Sequence, residues 1–130
     1  MEQTNNIILP DEIVGRLDNL PGLIKDKQLE ILEKQDYTDS LEVTINFQKN
    51  SILAKVSEEA DGEGKKLFKN AEQREHTTEV RIKDDKELSE FIRQKIKALK
   101  ELKELKIGLE FLDNKFKAAR SMTEILKEVK

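Results

Sequence analysis

The chain contains no cysteine and no tryptophan, and aromatic residues make up only 5% of its 130 residues. Without cysteine, the protein has no disulfides, zinc–thiolate sites or thiol chemistry. Only two prolines and five glycines are present, so few residues interrupt long helices. Charged residues reach 39% against 36% hydrophobic residues, a composition typical of coiled coils.

Long apolar runs and an excess of one charge are missing as well. No segment approaches the roughly 20 apolar residues that cross a bilayer, and the N-terminal segment MEQTNNIILPDE lacks the basic start of a signal peptide. We therefore expect a cytoplasmic protein without membrane contact. The 24 basic and 27 acidic side chains are interleaved and give a net charge of −3. This pattern indicates solvated, ion-paired helix faces rather than a tail that binds polyanions.

The strongest pattern is a heptad repeat in the last third of the chain. Ten of twelve positions, taken in alternating steps of three and four, are apolar or alanine. We call these twelve positions the ridge: Leu88, Phe91, Lys95, Ala98, Leu102, Leu105, Leu109, Leu112, Phe116, Ala119, Thr123 and Leu126. The repeat predicts one helix over 85–128 that packs as a coiled coil. We expect a second copy, in a dimer, or another protein to contact seven of its residues: Leu88, Phe91, Leu102, Leu105, Leu109, Leu112 and Phe116.

A second set of apolar residues, here called the outer edge, runs beside the ridge. Its members are Ile92, Ile96, Leu99, Ile107 and Phe111. Ridge and outer edge together form a stripe that is too wide for one partner helix. The sequence therefore predicts contact with two neighbouring helices, as in a three- or four-helix bundle.

Boundary signals predict a turn and two helix starts. The DGEGKK segment at 61–66 predicts a turn that reverses the direction of the chain. A shorter helix is predicted over 71–82, with Asn70 as its N-cap and Gln73 at the third position. Asp84 and Asp85 can both cap the long helix, and Glu87 follows Asp84 at the spacing of a capping box.

The segment 41–57 fits two kinds of structure. Apolar and polar residues alternate over 41–47 as in a strand, whereas Leu41, Ile45 and Val56 share one helical face. Residues 77–83 show the same ambiguity. The predicted fold is all-α, a long helical hairpin or coiled-coil bundle; the alternative is α+β, with a small antiparallel sheet from 41–57 and 77–83 packed on the long C-terminal helix. Residues 1–19 are predicted to form an N-terminal arm and 20–130 a single hairpin domain, whose first helix begins near Pro21.

No arrangement of residues predicts catalysis, a cofactor or a metal site. His76 is the only histidine and lacks partners at converging spacing, and helix capping accounts for the Asp84–Asp85 pair. We therefore predict that the protein is not an enzyme. One group of cations is a candidate for contacts with nucleic-acid phosphates: Lys86, Arg93, Lys97, Lys100, Lys115 and Arg120. Interleaved Glu90 and Glu104 favour a solvated, ion-paired face instead.

The segment LFKNAEQRE at 67–75 and the leucine-rich helix after it resemble a family of small helical proteins. Phages and prophages of Gram-positive bacteria encode these proteins in their early or recombination modules. The resemblance covers 27–122, and the residues that carry it are Gly64, Lys65, Phe68, Lys69, Asn70, Ala71, Arg74, Leu112, Asn114, Lys115, Phe116 and Arg120. The chain departs from the family in the β-branched segment LEVTINF at 41–47 and in the extension at 1–21.

The resemblance implies a helix over 41–47 and a place in the cytoplasm of a bacterial host. The leading functional hypothesis is a non-enzymatic phage or mobile-element accessory protein. It would act through helix-mediated protein–protein interaction and modulate a host nuclease or defence protein. The alternative hypothesis is a nucleic-acid-binding accessory of a recombination or single-strand annealing system.

Overall fold

A computed structural model describes residues 10–59, 64, 65, 67, 68 and 70–129. These residues form three helices: α1 (Pro10–Glu58), α2 (Ala71–Asp84) and α3 (Lys86–Val129). About 94% of them are helical, and none of them lies in a strand. The predicted all-α fold is confirmed. The alternative sheet from 41–57 and 77–83 is wrong, because these segments lie in α1 and α2.

Burial explains why 41–47 is helical in spite of its alternating pattern. In a strand, Leu41, Val43, Ile45 and Phe47 would share one face. Instead, Leu41 and Ile45 are only 7% and 4% exposed, while Val43 and Phe47 are 70% and 71% exposed. Residues four apart lie on the same side of a helix. Leu41 and Ile45 therefore pack together in the core, whereas Val43 and Phe47 lie on the exposed side of the helix.

Helix α1 begins at Pro10, well before the predicted start near Pro21. Proline is favoured in the first helical turn, and Asp11 and Glu12 interact favourably with the helix dipole there. Pro21 lies inside α1, where it removes a backbone hydrogen bond. Burial of Ile13 and Leu20 in this region outweighs that cost.

The predicted arm at 1–19 therefore overlaps α1 from residue 10 onwards, and its first nine residues lie outside the described ones. Most of the predicted turn at 61–66 is also outside the described residues. Within it, Gly64 has φ 83°, a left-handed conformation that favours glycine. This value agrees with a change of chain direction at that residue.

The predicted caps of α2 and α3 are partly confirmed. Asn70 is the N-cap of α2, and its side chain accepts a hydrogen bond from the Gln73 backbone N at 2.7 Å. Asp85 caps α3, because its Oδ1 accepts from the Leu88 backbone N at 2.8 Å. The predicted capping box between Asp84 and Glu87 is wrong, since Asp84 is the last residue of α2.

Internal packing divides the chain into two units. The first contains residues up to Lys34 and from Glu101 onwards. Here α1 and α3 run antiparallel. Lys34 Nζ donates to Glu101 Oε2 at 2.6 Å, whereas the earlier Lys27 lies beside the later Gly108. The buried apolar residues of this unit include Ile13, Leu20, Leu102 and Ala119.

The second unit, Gln35–Lys100, contains parts of α1 and α3 and all of α2. Gln48 Nε2 donates to Glu87 Oε1 at 3.3 Å, which joins α1 to the first turn of α3. Its core includes Leu41, Ile45, Val56, Leu88 and Ala98, together with the threonines Thr38 and Thr78. Three helices thus contribute to this unit, whereas two contribute to the first.

Candidate functional site

The ridge predicted as an interface lies against the chain itself. Leu88 and Leu102 are buried. The other five predicted interface residues are half-buried: Phe91, Leu105, Leu109, Leu112 and Phe116. Burial within a single chain shows that the ridge forms the contact of α3 inside each unit.

The exposed apolar surface of α3 in the first unit lies on another side of the helix. Ile107, Phe111 and Ile125 are 58%, 64% and 52% exposed, and Ala118 between them is exposed too. We call these four residues the outer stripe. At 100° per residue they fall within an arc of about 40°. Phe111, Ala118 and Ile125 are spaced by seven, which is the spacing of a coiled-coil seam.

The outer stripe contains Ile107 and Phe111, two members of the outer edge found in the sequence. That edge predicted two neighbouring helices, and the first unit supplies α3 with one, α1. Nothing in the described part of this unit covers the outer stripe. Lys115 lies at its border, with Nζ 5.6 Å from the centroid of the Phe111 ring. A cation beside an exposed aromatic ring leaves the ring accessible from the other side.

The predicted nucleic-acid residues fall into two groups. In the second unit, Lys86, Arg93, Lys97 and Lys100 are exposed on one side of α3. Arg93 Nη1 is 3.0 Å from Glu90 Oε2, so one cation of this row pairs with an anion. In the first unit, Lys115 lies over Phe111, and Arg120 lies 5.9 Å from the Phe116 ring centroid. These two residues are five positions apart and face different sides of α3.

A polar cluster that the sequence did not indicate lies in the second unit. Arg81 binds Glu59 through two nitrogen–oxygen contacts of 2.6 and 2.7 Å. The Arg81 guanidinium also lies 5.9 Å from the Phe68 ring centroid, and Arg74 donates to the Phe68 carbonyl. Hydrogen bonding to Arg81 lowers the pKa of Glu59, and the same bond raises the pKa of Arg81. The cluster holds the end of α1, the segment before α2 and α2 itself together.

Among the described residues, no group of three or more His, Cys, Asp or Glu side chains is placed to hold a metal ion. His76 is exposed on α2. The buried side-chain nitrogen and oxygen atoms in the described part of the chain all have hydrogen-bond partners. For example, Thr78 Oγ1 donates to the Arg74 carbonyl at 2.6 Å. This hydrogen bond lies within α2.

The first unit has a small apolar notch of about 180 Å³ near the start of α1 and the end of α3. Its lining consists of Pro10, Ile13, Val14, Thr123, Leu126 and Lys127. Lys127 is the only charged residue in this lining, so the notch can make apolar contacts but lacks a group of polar side chains for catalysis. None of the described helices has a stretch apolar enough to cross a membrane.

Comparison with known proteins adds no relative: no protein-family model, curated protein or solved structure matches the chain. The resemblance to phage-encoded helical proteins therefore stays a prediction.

Proposed function

We propose that the protein is a non-enzymatic interaction protein that binds a helix of another protein through the outer stripe of α3. The exposure of Ile107, Phe111 and Ile125 carries this proposal. Large apolar side chains aligned along one side of a stable helix are characteristic of surfaces that bind helices.

The packing of the first unit supports a helical partner. α1 is the only neighbour of α3 within the described residues of this unit, and the outer stripe stays exposed beside it. A partner helix would occupy the second position. Burying one large apolar side chain stabilises a complex by up to roughly 1.5–3 kcal/mol. Three such side chains with half or more of their surface exposed can therefore support a specific contact.

The biological setting that we propose follows from the resemblance. A phage or mobile-element accessory protein would use the outer stripe to modulate a host nuclease or defence protein. Inhibition by binding requires surface contact and no chemistry, and an exposed apolar stripe can provide that contact.

The test compares two aspartate substitutions of exposed phenylalanines in cells. The full-length wild type, Phe111→Asp and the matched control Phe47→Asp carry the same affinity tag and are cross-linked in the bacterial host before purification. We expect one defined host protein with the wild type and with Phe47→Asp, and its loss with Phe111→Asp. Equal recovery of the same proteins with all three variants would contradict the proposal.

The exposed row Lys86, Arg93, Lys97 and Lys100 supports the alternative function, a nucleic-acid-binding accessory of recombination or annealing. The pairing of Arg93 with Glu90 and the net charge of −3 weaken it. Binding to nucleic acid is therefore the second candidate function.

A further inference from the structure

Two charged residues of opposite sign bracket the first half of the outer stripe along α3. Glu104 precedes Ile107 and Phe111, and Lys115 follows them. Glu104 is exposed and Lys115 is half-buried. At 100° per residue, these four residues fall within an arc of about 80°. We call them the α3 contact face.

The two charges also lie on the same side of the apolar residues. Taking Phe111 as zero, Ile107 lies about 40° to one side, whereas Glu104 and Lys115 lie about 20° and 40° to the other. Lys115 Nζ is 5.6 Å from the Phe111 ring centroid, so its cation lies at the border of the apolar surface. An anion, an apolar pair and a cation thus follow one another along one line of the helix.

We propose that, when no other partner is bound, the α3 contact face binds the same face of a second copy of this chain, with the two α3 helices antiparallel. With the two-fold axis level with residue 109, Ile107 lies level with Phe111 of the second copy. Glu104 then lies within one residue, about 1.5 Å along the axis, of Lys115 of the second copy. A two-fold axis brings the same side of each face together, so the two charges meet. Each contact occurs twice, and the surface is complementary to itself.

The charges select this arrangement over a parallel one. A parallel pair would place Glu104 level with Glu104 and Lys115 level with Lys115. The opposite charges would then be 11 residues, or roughly 16 Å, apart along the helices, so neither ion pair could form.

The charges also select the register among antiparallel pairs. An axis level with Ala118 would pair Phe111 with Ile125 of the second copy. Lys115 would then lie level with Ser121, which offers no negative charge. The order of Glu104 and Lys115 around Ile107 and Phe111 therefore identifies a second copy as the binding partner. It also identifies the register centred on residue 109.

This inference goes beyond the proposed function, and a second copy would occupy part of the surface that we assign to the host protein. Self-association would thus compete with partner binding. It also moves the predicted dimer contact from the ridge, which is covered within the chain, to the outer stripe. Two apolar side chains per copy are few compared with the roughly 800 Å² per partner of a stable interface. We therefore expect a weak dimer whose population rises with protein concentration.

Sedimentation equilibrium of the purified full chain over a range of concentrations tests the apolar contact. The wild type should show a mass that rises from one copy towards two. Phe111→Asp should raise the dissociation constant by at least about tenfold, because it places an anion in the centre of the contact. The matched control Phe47→Asp should leave it unchanged. A wild type that stays monomeric, or equal effects of both variants, would overturn the inference.

A charge-exchange experiment tests the antiparallel order. Glu104→Lys and Lys115→Glu should each weaken self-association by at least about tenfold, since each variant brings like charges together. A mixture of the two variants should associate as the wild type does, because both pairs across the contact are then of opposite sign. Circular dichroism checks that each variant remains helical. If the mixture associates no better than either variant alone, the antiparallel contact is refuted.

The two proposals fail in different ways. A purified chain that stays monomeric, while a host protein is still recovered in cells through Phe111, refutes the self-contact and leaves the proposed function standing. A dimer that passes the charge-exchange test, without any host protein that depends on Phe111, refutes the proposed function instead.

Discussion

At the scale of single residues, the contact between Glu59 and Arg81 makes the stability of the second unit depend on pH. The pKa of Glu59 is lowered by its hydrogen bonds to Arg81, so folding favours the ionised carboxylate. For a carboxyl with a lowered pKa, the stabilisation is fully present above the unfolded pKa and is lost as pH falls through the folded pKa. The relevant window therefore begins near pH 4.5 and extends downwards.

We predict that Glu59→Gln makes the protein less stable at neutral pH. The substitution should also remove part of the pH dependence of stability below about pH 4.5. The glutamine cannot form the ion pair, and protonation no longer changes its interaction with Arg81. Urea unfolding followed by circular dichroism between pH 3 and 7 measures both effects. Asp36→Asn is the matched control, because Asp36 is exposed on α1 outside the cluster. If the free energy of unfolding changes with pH in the same way for the wild type and Glu59→Gln, the Glu59–Arg81 pair does not contribute to the pH dependence of stability.

The sequence predicted some of these single-residue features and not others. Asn70 and Asp85 could be named as caps because a cap bonds to a backbone N–H three residues away. The partner of Arg81 is 22 positions away, and its identity depends on how α2 packs. Local spacing carries no information about such a contact.

At the scale of helices, two neighbouring apolar residues of α1 test the assignment of 41–47. We predict that Ile45→Ala lowers the free energy of unfolding by about 2–5 kcal/mol, because it opens a cavity in the core. Val43→Ala should change it by no more than about 0.5 kcal/mol, because Val43 is exposed. Urea titrations at low protein concentration, where a dimer does not form, measure both. Similar losses for both variants would indicate the strand pattern instead of the helix.

Sequence periodicity predicted α2 and α3 nearly to their ends, whereas it left 41–47 of α1 open between helix and strand. The long helix over 85–128 corresponds to α3, and the shorter one over 71–82 corresponds to α2. The start of α1 could not be placed, because Pro21 gives a strong local signal for a first turn, whereas Pro10 marks the true one. Packing of Ile13 and Leu20 decides between the two prolines, and a local pattern does not contain that information.

At the scale of the whole molecule, the balance of charge argues against binding to nucleic acid. We predict no detectable binding to single- or double-stranded oligonucleotides even at low salt, because the net charge is −3 and acidic residues interrupt the basic row. Fluorescence anisotropy with labelled oligonucleotides measures this, with Lys97→Glu/Lys100→Glu as the comparison. An affinity that falls steeply with salt and disappears in that double variant would instead favour the alternative function.

The candidate surface was only partly predictable. The sequence showed that α3 has more apolar residues than one neighbour can cover, and Ile107 and Phe111 were identified as the excess. The sequence did not show whether the ridge or the outer edge would be covered by the rest of the chain. That outcome depends on how α1 packs against α3 in each unit, and local spacing carries no information about such packing.

One residue separates α2 from α3, and this junction restricts how the chain can change. Asp85 has φ −76° and ψ 110°, donates its backbone N–H to Arg81 O and caps the next helix with its carboxylate. The direction of α2 relative to α3 is thus fixed by two torsion angles of a single residue. Inserting or deleting one residue next to it would rotate one helix by about 100° about its axis and turn Thr78 away from the core. We therefore expect a one-residue insertion or deletion at this joint to lower the stability of the second unit far more than an exposed substitution in either helix.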